Sequence, residues 1–142
     1  PDPIQKALGQ QIFTGCLYRI ILLARELKPM QADQISEAVV YIHEHVLDNI
    51  ALEDAAHSCG LSLSRFKTKF KEETGITPRA FINNVKIAHA KKLLQENLSI
   101  TEVSARLTFD TPNYFATLFK KYTGKTPRQY QAEYVAEQKT DA

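Results

Sequence analysis

Four histidines and two cysteines are the side chains of this 142-residue sequence that could most readily build a catalytic or metal site. His43 and His45 stand two apart in "YIHEH". On a helix that spacing turns them about 200° from each other, so they do not share an ion. The stretch is also not the His-Glu-x-x-His of a zinc protease. Both read as solvated or capping histidines. His57 and His89 have no acid or cysteine at a spacing useful for catalysis. Cys16, in "TGCLYRI", lies in an apolar stripe, which argues against a low-pKa thiol. Cys16 and Cys59 form no metal or redox spacing and read as small buried hydrophobes, a usage that fits a reducing cytoplasm. There is no phosphate loop and no Gly-x-Ser-x-Gly. The residues point to no enzyme, no metal and no cofactor.

The chemistry that the sequence does support is contact with a polyanion. Net charge is only +2, but the charges are unevenly placed. From residue 33 to 54 there are six acids and no Lys or Arg. From 62 to 92 there are eight bases against Glu72 and Glu73. From 112 to 131 there are Lys120, Lys121, Lys125 and Arg128 and no acid. Single lysines usually mark a solvated face, but clustering of this kind is an electrostatic footprint.

The elements that position these charges are helices. "GITPRAF" at 75–81 recurs as "GKTPRQY" at 124–130. Phe66, Phe70, Lys71, Thr74, Gly75, Thr77, Pro78 and Arg79 match Phe115, Phe119, Lys120, Thr123, Gly124, Thr126, Pro127 and Arg128, all 49 positions on. Upstream, Leu52 and Leu61 match Ile100 and Phe109 at an offset of 48, so one residue is gained near "DTP". A duplicated helix-turn-helix explains this. Gly60 supplies a sharp turn, Ser62 caps the next helix, and Gly75 ends it. Thr77-Pro78 and Thr126-Pro127 are cap-and-first-residue pairs that start further helices. "SITE", 99–102, reads as a capping box. A helix from Pro78 to about Asn97, with Phe81, Val85, Ala88 and Leu93 near one stripe, joins the copies. At about 1.5 Å per residue it spans roughly 30 Å, near the 34 Å turn of B-DNA. No alternation or hairpin signal predicts a strand.

With Phe66 and Phe70 inward, Ser64, Lys67, Thr68 and Lys71 line an outward face. With Phe115, Leu118, Phe119 and Tyr122 inward, Asn113, Ala116, Thr117 and Lys120 do the same. Short hydrogen-bonding groups come first and cations last. That order suits a helix entering a major groove by its N-terminal turns, with base edges met first and phosphates later.

The stretches "GLSLSRFKTKFKEETGITP", "KIAHAKKLL" and "FDTPNYFATLFKKYTGKTPRQY" resemble the DNA-binding domain of AraC/XylS-family bacterial transcription regulators over about residues 33–131. The resemblance implies an all-α fold of seven helices, with two helix-turn-helix subdomains joined by a long linker helix. It implies that double-stranded DNA is bound in two successive major grooves. Base-reading residues would be Leu63, Ser64, Arg65, Lys67 and Thr68 in the first unit, and Pro112, Asn113, Ala116 and Thr117 in the second. Phosphate contacts would come from Ser62, Lys71, Thr77, Arg79, Lys86, Lys120, Lys121, Thr126 and Arg128. Four positions depart from the family pattern. Thr108 stands where Gly is usual before Phe109, Lys86 where Arg is frequent, Gln131 where Arg often follows the aromatic, and Ser104 where Ala is usual.

The expected organisation is a helical segment over 1–30 and a bipartite DNA-binding domain over 31–142. The first helix-turn-helix falls at about 52–74, the linker helix at 78–97 and the second helix-turn-helix at about 100–123. In the first segment Ile12, Phe13, Cys16, Leu17, Ile20, Ile21, Ala24 and Leu27 form a wide apolar stripe that needs a cover. It packs on this chain or on a partner. The resemblance implies RNA polymerase as a further partner, and a homodimer through residues 4–28 or through a separate N-terminal domain. The missing initiator Met and the absence of a signal sequence predict a cytoplasmic piece of a longer protein, and no apolar run long enough to span a membrane occurs. Two rival readings are an interaction module that has lost DNA binding and the DNA-binding part of a DNA-repair methyltransferase.

Overall fold

The structure, a computed structural model, describes residues 19–21 and 33–141. Seven helices follow one another: α1 (Gln34–Glu44), α2 (Leu52–Ser58), α3 (Leu63–Thr74), α4 (Pro78–Gln95), α5 (Ile100–Arg106), α6 (Pro112–Thr123) and α7 (Pro127–Thr140). Residues 19–21 are also helical, and no strand occurs among the described residues. No described helix is long and apolar enough to cross a membrane. The chain divides into two compact units at Val85–Lys86, within α4.

Each unit has its own aromatic core. In the first, Val39 and Ile42 of α1, Ala55 and Ala56 of α2, Phe66 and Phe70 of α3, and Phe81 and Val85 of α4 are buried together. Phe70 meets Phe66 and Phe81 edge to face, with ring centroids 5.5 and 5.3 Å away. In the second, Ile87, Ala90 and Leu94 of α4 join Val103, Leu107, Phe115 and Phe119. Phe119 packs edge to face on Phe115 and Tyr130 at 5.8 and 5.5 Å. The i,i+4 spacing of the two phenylalanines puts both rings on one side of each recognition helix, which is why α3 and α6 bury the same face.

The linker helix differs from its expected form. It ends at Gln95, and Asn97 at φ 66° turns the chain away. It also lacks a single apolar stripe. Asn84, Val85, Lys86 and Ile87 are buried in succession, which at 100° per residue covers every direction, while Ala88 and Leu93 are only half-buried.

The repeated turn is punctuation at atomic detail. Gly75 and Gly124 adopt φ 83° and 81°, and their N–H groups return to the Lys71 and Lys120 carbonyls at 2.9 and 2.7 Å. A side chain would strain both positions. The buried Thr74 and Thr123 hydroxyls lie 2.7 and 2.8 Å from the Phe70 and Phe119 carbonyls. Each also accepts the N–H two residues on, at 3.4 and 3.3 Å. Thr77 then accepts the Ala80 N–H at 3.2 Å, and Thr126 forms a full capping box with Gln129. The box expected at 99–102 is only half formed. Ser99 accepts the Glu102 N–H at 3.1 Å, but the Glu102 carboxylate goes to Arg106 at 3.0 Å.

Of the N-terminal stripe, Ile21 is buried with the first core and Ile20 is exposed. The rest of it, and of the segment 1–30, lies outside the described residues.

Candidate nucleic-acid interface

The capping hydroxyls aim the two recognition helices. Ser62 accepts the Arg65 N–H at 3.4 Å to start α3, and Thr111 accepts the Tyr114 N–H at 3.0 Å to start α6, with Pro112 at its first position. The Thr111 cap was not among the sequence expectations, although a threonine directly before Pro is its signal.

On α3, Ser64, Arg65, Lys67, Thr68 and Lys71 are exposed and Leu63 is half-buried. On α6, Pro112, Asn113, Thr117, Lys120 and Lys121 are exposed and Ala116 is half-buried. Thr68 donates its hydroxyl to the Ser64 carbonyl at 3.2 Å, and Thr117 does the same to Asn113 at 3.0 Å. Each exposed threonine, at matching points of the duplication, therefore commits its hydroxyl proton to its own helix and keeps its accepting capacity. Tyr114 is also exposed, at 50%, with its ring 6.2 Å from Phe109. It flanks Phe115 by one residue, 100° away, and so falls between the inward and outward faces that periodicity distinguishes.

The structure brings part of the predicted set together. Lys67, Thr68, Lys71, Thr77 and Arg79 line one open cleft of about 650 Å³ beside the first turn of α4. Three cations there stand against the single carboxylate of Glu72, a balance suited to an anionic group. In the second unit Arg128 is exposed and the capping Thr126 is half-buried.

Several cations counted in sequence are spent elsewhere. Lys86, expected on phosphate, is only 7% exposed. Its Nζ donates to Thr108 Oγ1 at 3.2 Å and sits 5.1 Å from the centre of the Phe109 ring. The expectation is corrected: this lysine points into the second unit. Lys69 donates to Gln34 at 2.9 Å and lies 3.9 Å from Glu73. Lys125 is paired with Glu133, which holds its ammonium pKa above the ordinary value.

The departures from the family pattern are also internal. Ser104 is buried, and its carbonyl accepts the Phe109 N–H at 3.0 Å. Gln131 donates from its amide nitrogen to the Leu94 and Leu98 carbonyls at 3.0 and 2.8 Å, tying α7 to the end of α4. Burial pushes the Cys59 thiol up, the opposite of an activated nucleophile. No cluster of His, Cys, Asp and Glu suited to a metal ion occurs among the described residues.

Two helix-turn-helix units in tandem, each with an exposed second helix, define a class of DNA-binding fold. The helix-turn-helix domain family matches residues 55–133. An uncharacterized HTH-type transcriptional regulator from the cgkA 5' region of Pseudoalteromonas carrageenovora is 35% identical over 113 residues, covering 75% of this chain and 68% of that protein. The transcriptional activator RhaS of Salmonella schwarzengrund is 29% identical over 96 residues, 67% of this chain. This chain spans only 34% of that activator's length. Among solved structures, the DNA-binding domain of AdpA, in complex with a target DNA, superposes with a TM-score of 0.70 at 27% identity, over 75% of this chain and 96% of that one. The chain belongs to the AraC-type helix-turn-helix family of transcriptional regulators.

Proposed function

We propose that this chain reads duplex DNA with α3 and α6 in successive major grooves, as the DNA-binding part of a bacterial transcription regulator. The observation that carries this reading is the shared layout of the two exposed helix faces. Exposed Ser64 and Thr68 on α3 correspond to exposed Asn113 and Thr117 on α6, Lys71 and Lys120 follow toward the C-terminal ends, and Phe66, Phe70 and Thr74 recur inward as Phe115, Phe119 and Thr123. Base reading falls to Ser64, Arg65, Lys67 and Thr68 in one groove, and to Asn113, Ala116 and Thr117 with Pro112 and Tyr114 in the other. The accepting hydroxyls of the exposed Thr68 and Thr117 suit a base amino group, and a threonine methyl suits a thymine methyl. Ser62, Lys71, Thr77, Arg79, Lys120, Lys121, Thr126 and Arg128 meet phosphate and set the register. The relatives are named as a transcriptional regulator and a transcriptional activator, and the same proposal extends to action through RNA polymerase in the cytoplasm and to self-association through residues 4–28 or a further domain.

Selection of bound sites from random duplexes, followed by footprinting, tests this. The expected result is an enriched site with two protected patches about one helical turn apart. A protein that retards mixed DNA but enriches nothing would be a non-specific binder. No retardation at low salt would favour the interaction-module reading.

A further inference from the structure

We propose that Lys86 is a positioning residue that sets the second recognition helix from within, by clamping the turn that precedes it; the proposal rests on the DNA-binding reading above. Two of the positions that depart from the family pattern meet here. Thr108 sits at φ 57°, a region that β-branched residues rarely enter. Its counterpart 48 positions earlier is Gly60, which adopts φ 74° with nothing within 4 Å of where a Cβ would stand. In the second unit the turn carries a side chain, and that side chain is used. The Thr108 hydroxyl accepts from Lys86 Nζ at 3.2 Å and donates to the Leu107 carbonyl, the end of α5, at 2.7 Å.

The clamp continues to α6. Lys86 Nζ lies over the Phe109 ring, and Phe109 packs on Phe115 with centroids 5.1 Å apart. Phe109 also lies against Tyr114 in the first turn of α6. One ammonium thus holds the turn by a charge-assisted hydrogen bond and the ring behind it by cation–π attraction. That ring backs the part of α6 from which Asn113 and Thr117 face outward. The first unit has nothing equivalent, because 48 positions before Lys86 stands the fully buried Ala38. There a different tether acts: Gln34 donates to the Cys59 carbonyl at 3.3 Å and accepts from Lys69.

The test compares the chain with Lys86→Met, Lys86→Arg and Thr108→Gly. Each is followed by melting, by amide hydrogen exchange at Phe109, Tyr114 and Phe115, and by footprinting on a duplex that the parent enriches from a random library. Replacing a buried charge by an apolar side chain of similar volume is often neutral for stability. The expected result for Lys86→Met is therefore a melting temperature near the parent's. Exchange at the three amides should rise about ten-fold and binding weaken about ten-fold, with lost protection confined to one patch of the footprint. Lys86→Arg should restore both. Thr108→Gly relieves the backbone but removes the acceptor, so it should melt at or above the parent and still bind less tightly.

Unchanged exchange in Lys86→Met, or equal loss over both patches, would overturn the proposal. If Lys86→Met does not fold, Thr108→Gly decides: tighter binding together with a higher melting temperature would show that the clamp is only strain. If the parent enriches no DNA, the functional reading fails, and the exchange measurement still decides on the clamp.

Discussion

The two helix-turn-helix units share their inward phenylalanines and their turns, and differ where α6 buries Leu118 and Tyr122 in place of Lys69 and Glu73 and in the order of their outer cations. Phe66, Phe70, Thr74 and Gly75 recur in conformation as well as in type at Phe115, Phe119, Thr123 and Gly124. Outside, α3 places Arg65 and Lys67 early and Lys71 late, whereas α6 opens with Pro112, Asn113 and Tyr114 and delays its cations to Lys120 and Lys121. Duplication has kept what makes a helix stop, turn and pack, and has left the exposed positions to diverge. On the proposed reading, the first unit grips electrostatically along the whole length of α3. The second meets base edges with its early residues and keeps charge for its end.

That contrast is most sharply tested by salt. Seven exposed cations, Arg65, Lys67, Lys71, Arg79, Lys120, Lys121 and Arg128, give an expected slope of log K on log salt near about −6. Affinity should then fall about 10³- to 10⁴-fold between 50 and 200 mM salt. Changing the four first-unit cations to Gln should reduce the slope by about 3.6, and changing the three second-unit cations by about 2.7. Equal reductions from the two sets would erase the distinction.

Base preference should divide the units in the opposite sense. Asn113→Ala is expected to cost about 1–3 kcal/mol on the selected site and almost nothing on scrambled DNA. Lys71→Ala should weaken both duplexes alike. Competition titrations on the two duplexes measure this, and a parallel loss for Asn113→Ala would remove it from base reading.

The shared turn predicts matching stability effects where the outer faces predict different ones. Gly75→Val and Gly124→Val force a β-branched residue into the left-handed region and should each cost about 1–2 kcal/mol. The base preferences of the folded fraction should be unchanged. Chemical denaturation and repeated selection check the two halves. An altered site from Gly75→Val would give the repeated motif a part in recognition.

Acid should produce the smallest effect, of opposite sign in the two units. Burial, followed by nearby Lys92, lowers the His89 pKa below 6.5. The unfolded chain therefore binds the proton more readily, and the His89 contribution is lost as pH falls below about 6.5. Burial, followed by Asp33, raises the Glu73 carboxyl above 4.5. Its protonated form suits the folded chain, so that contribution is present below pH 4.5 and lost as pH rises through the folded pKa. Lowering the pH from 7 to 5 should raise exchange in the second unit relative to the first. His89→Gln should abolish its share, and a uniform response would contradict the assignment.

The local grammar of this protein was legible in its sequence. Helix stops at Gly75 and Gly124, starts at Thr77 and Thr126, and inward pairs of phenylalanines depend on neighbours within about four residues, and such patterns are written along the chain. So was the outward placement of Ser64, Lys67, Thr68, Lys71, Asn113, Thr117 and Lys120, because one face of a helix excludes the other. The destinations of long side chains were decided only by tertiary structure. Lys86 reaches Thr108 across 22 positions, Lys69 reaches Gln34 across 35, and Gln131 reaches Leu94 across 37. Periodicity gives the direction of a Cβ, but four or more bonds separate a lysine's Cβ from its charge, and packing in three dimensions chooses where that charge ends. A count of bases therefore marks the regions proposed to face a polyanion, while the fold withdraws Lys86, Lys69 and Lys125 from that count and turns the departures at Lys86, Thr108, Ser104 and Gln131 toward the protein.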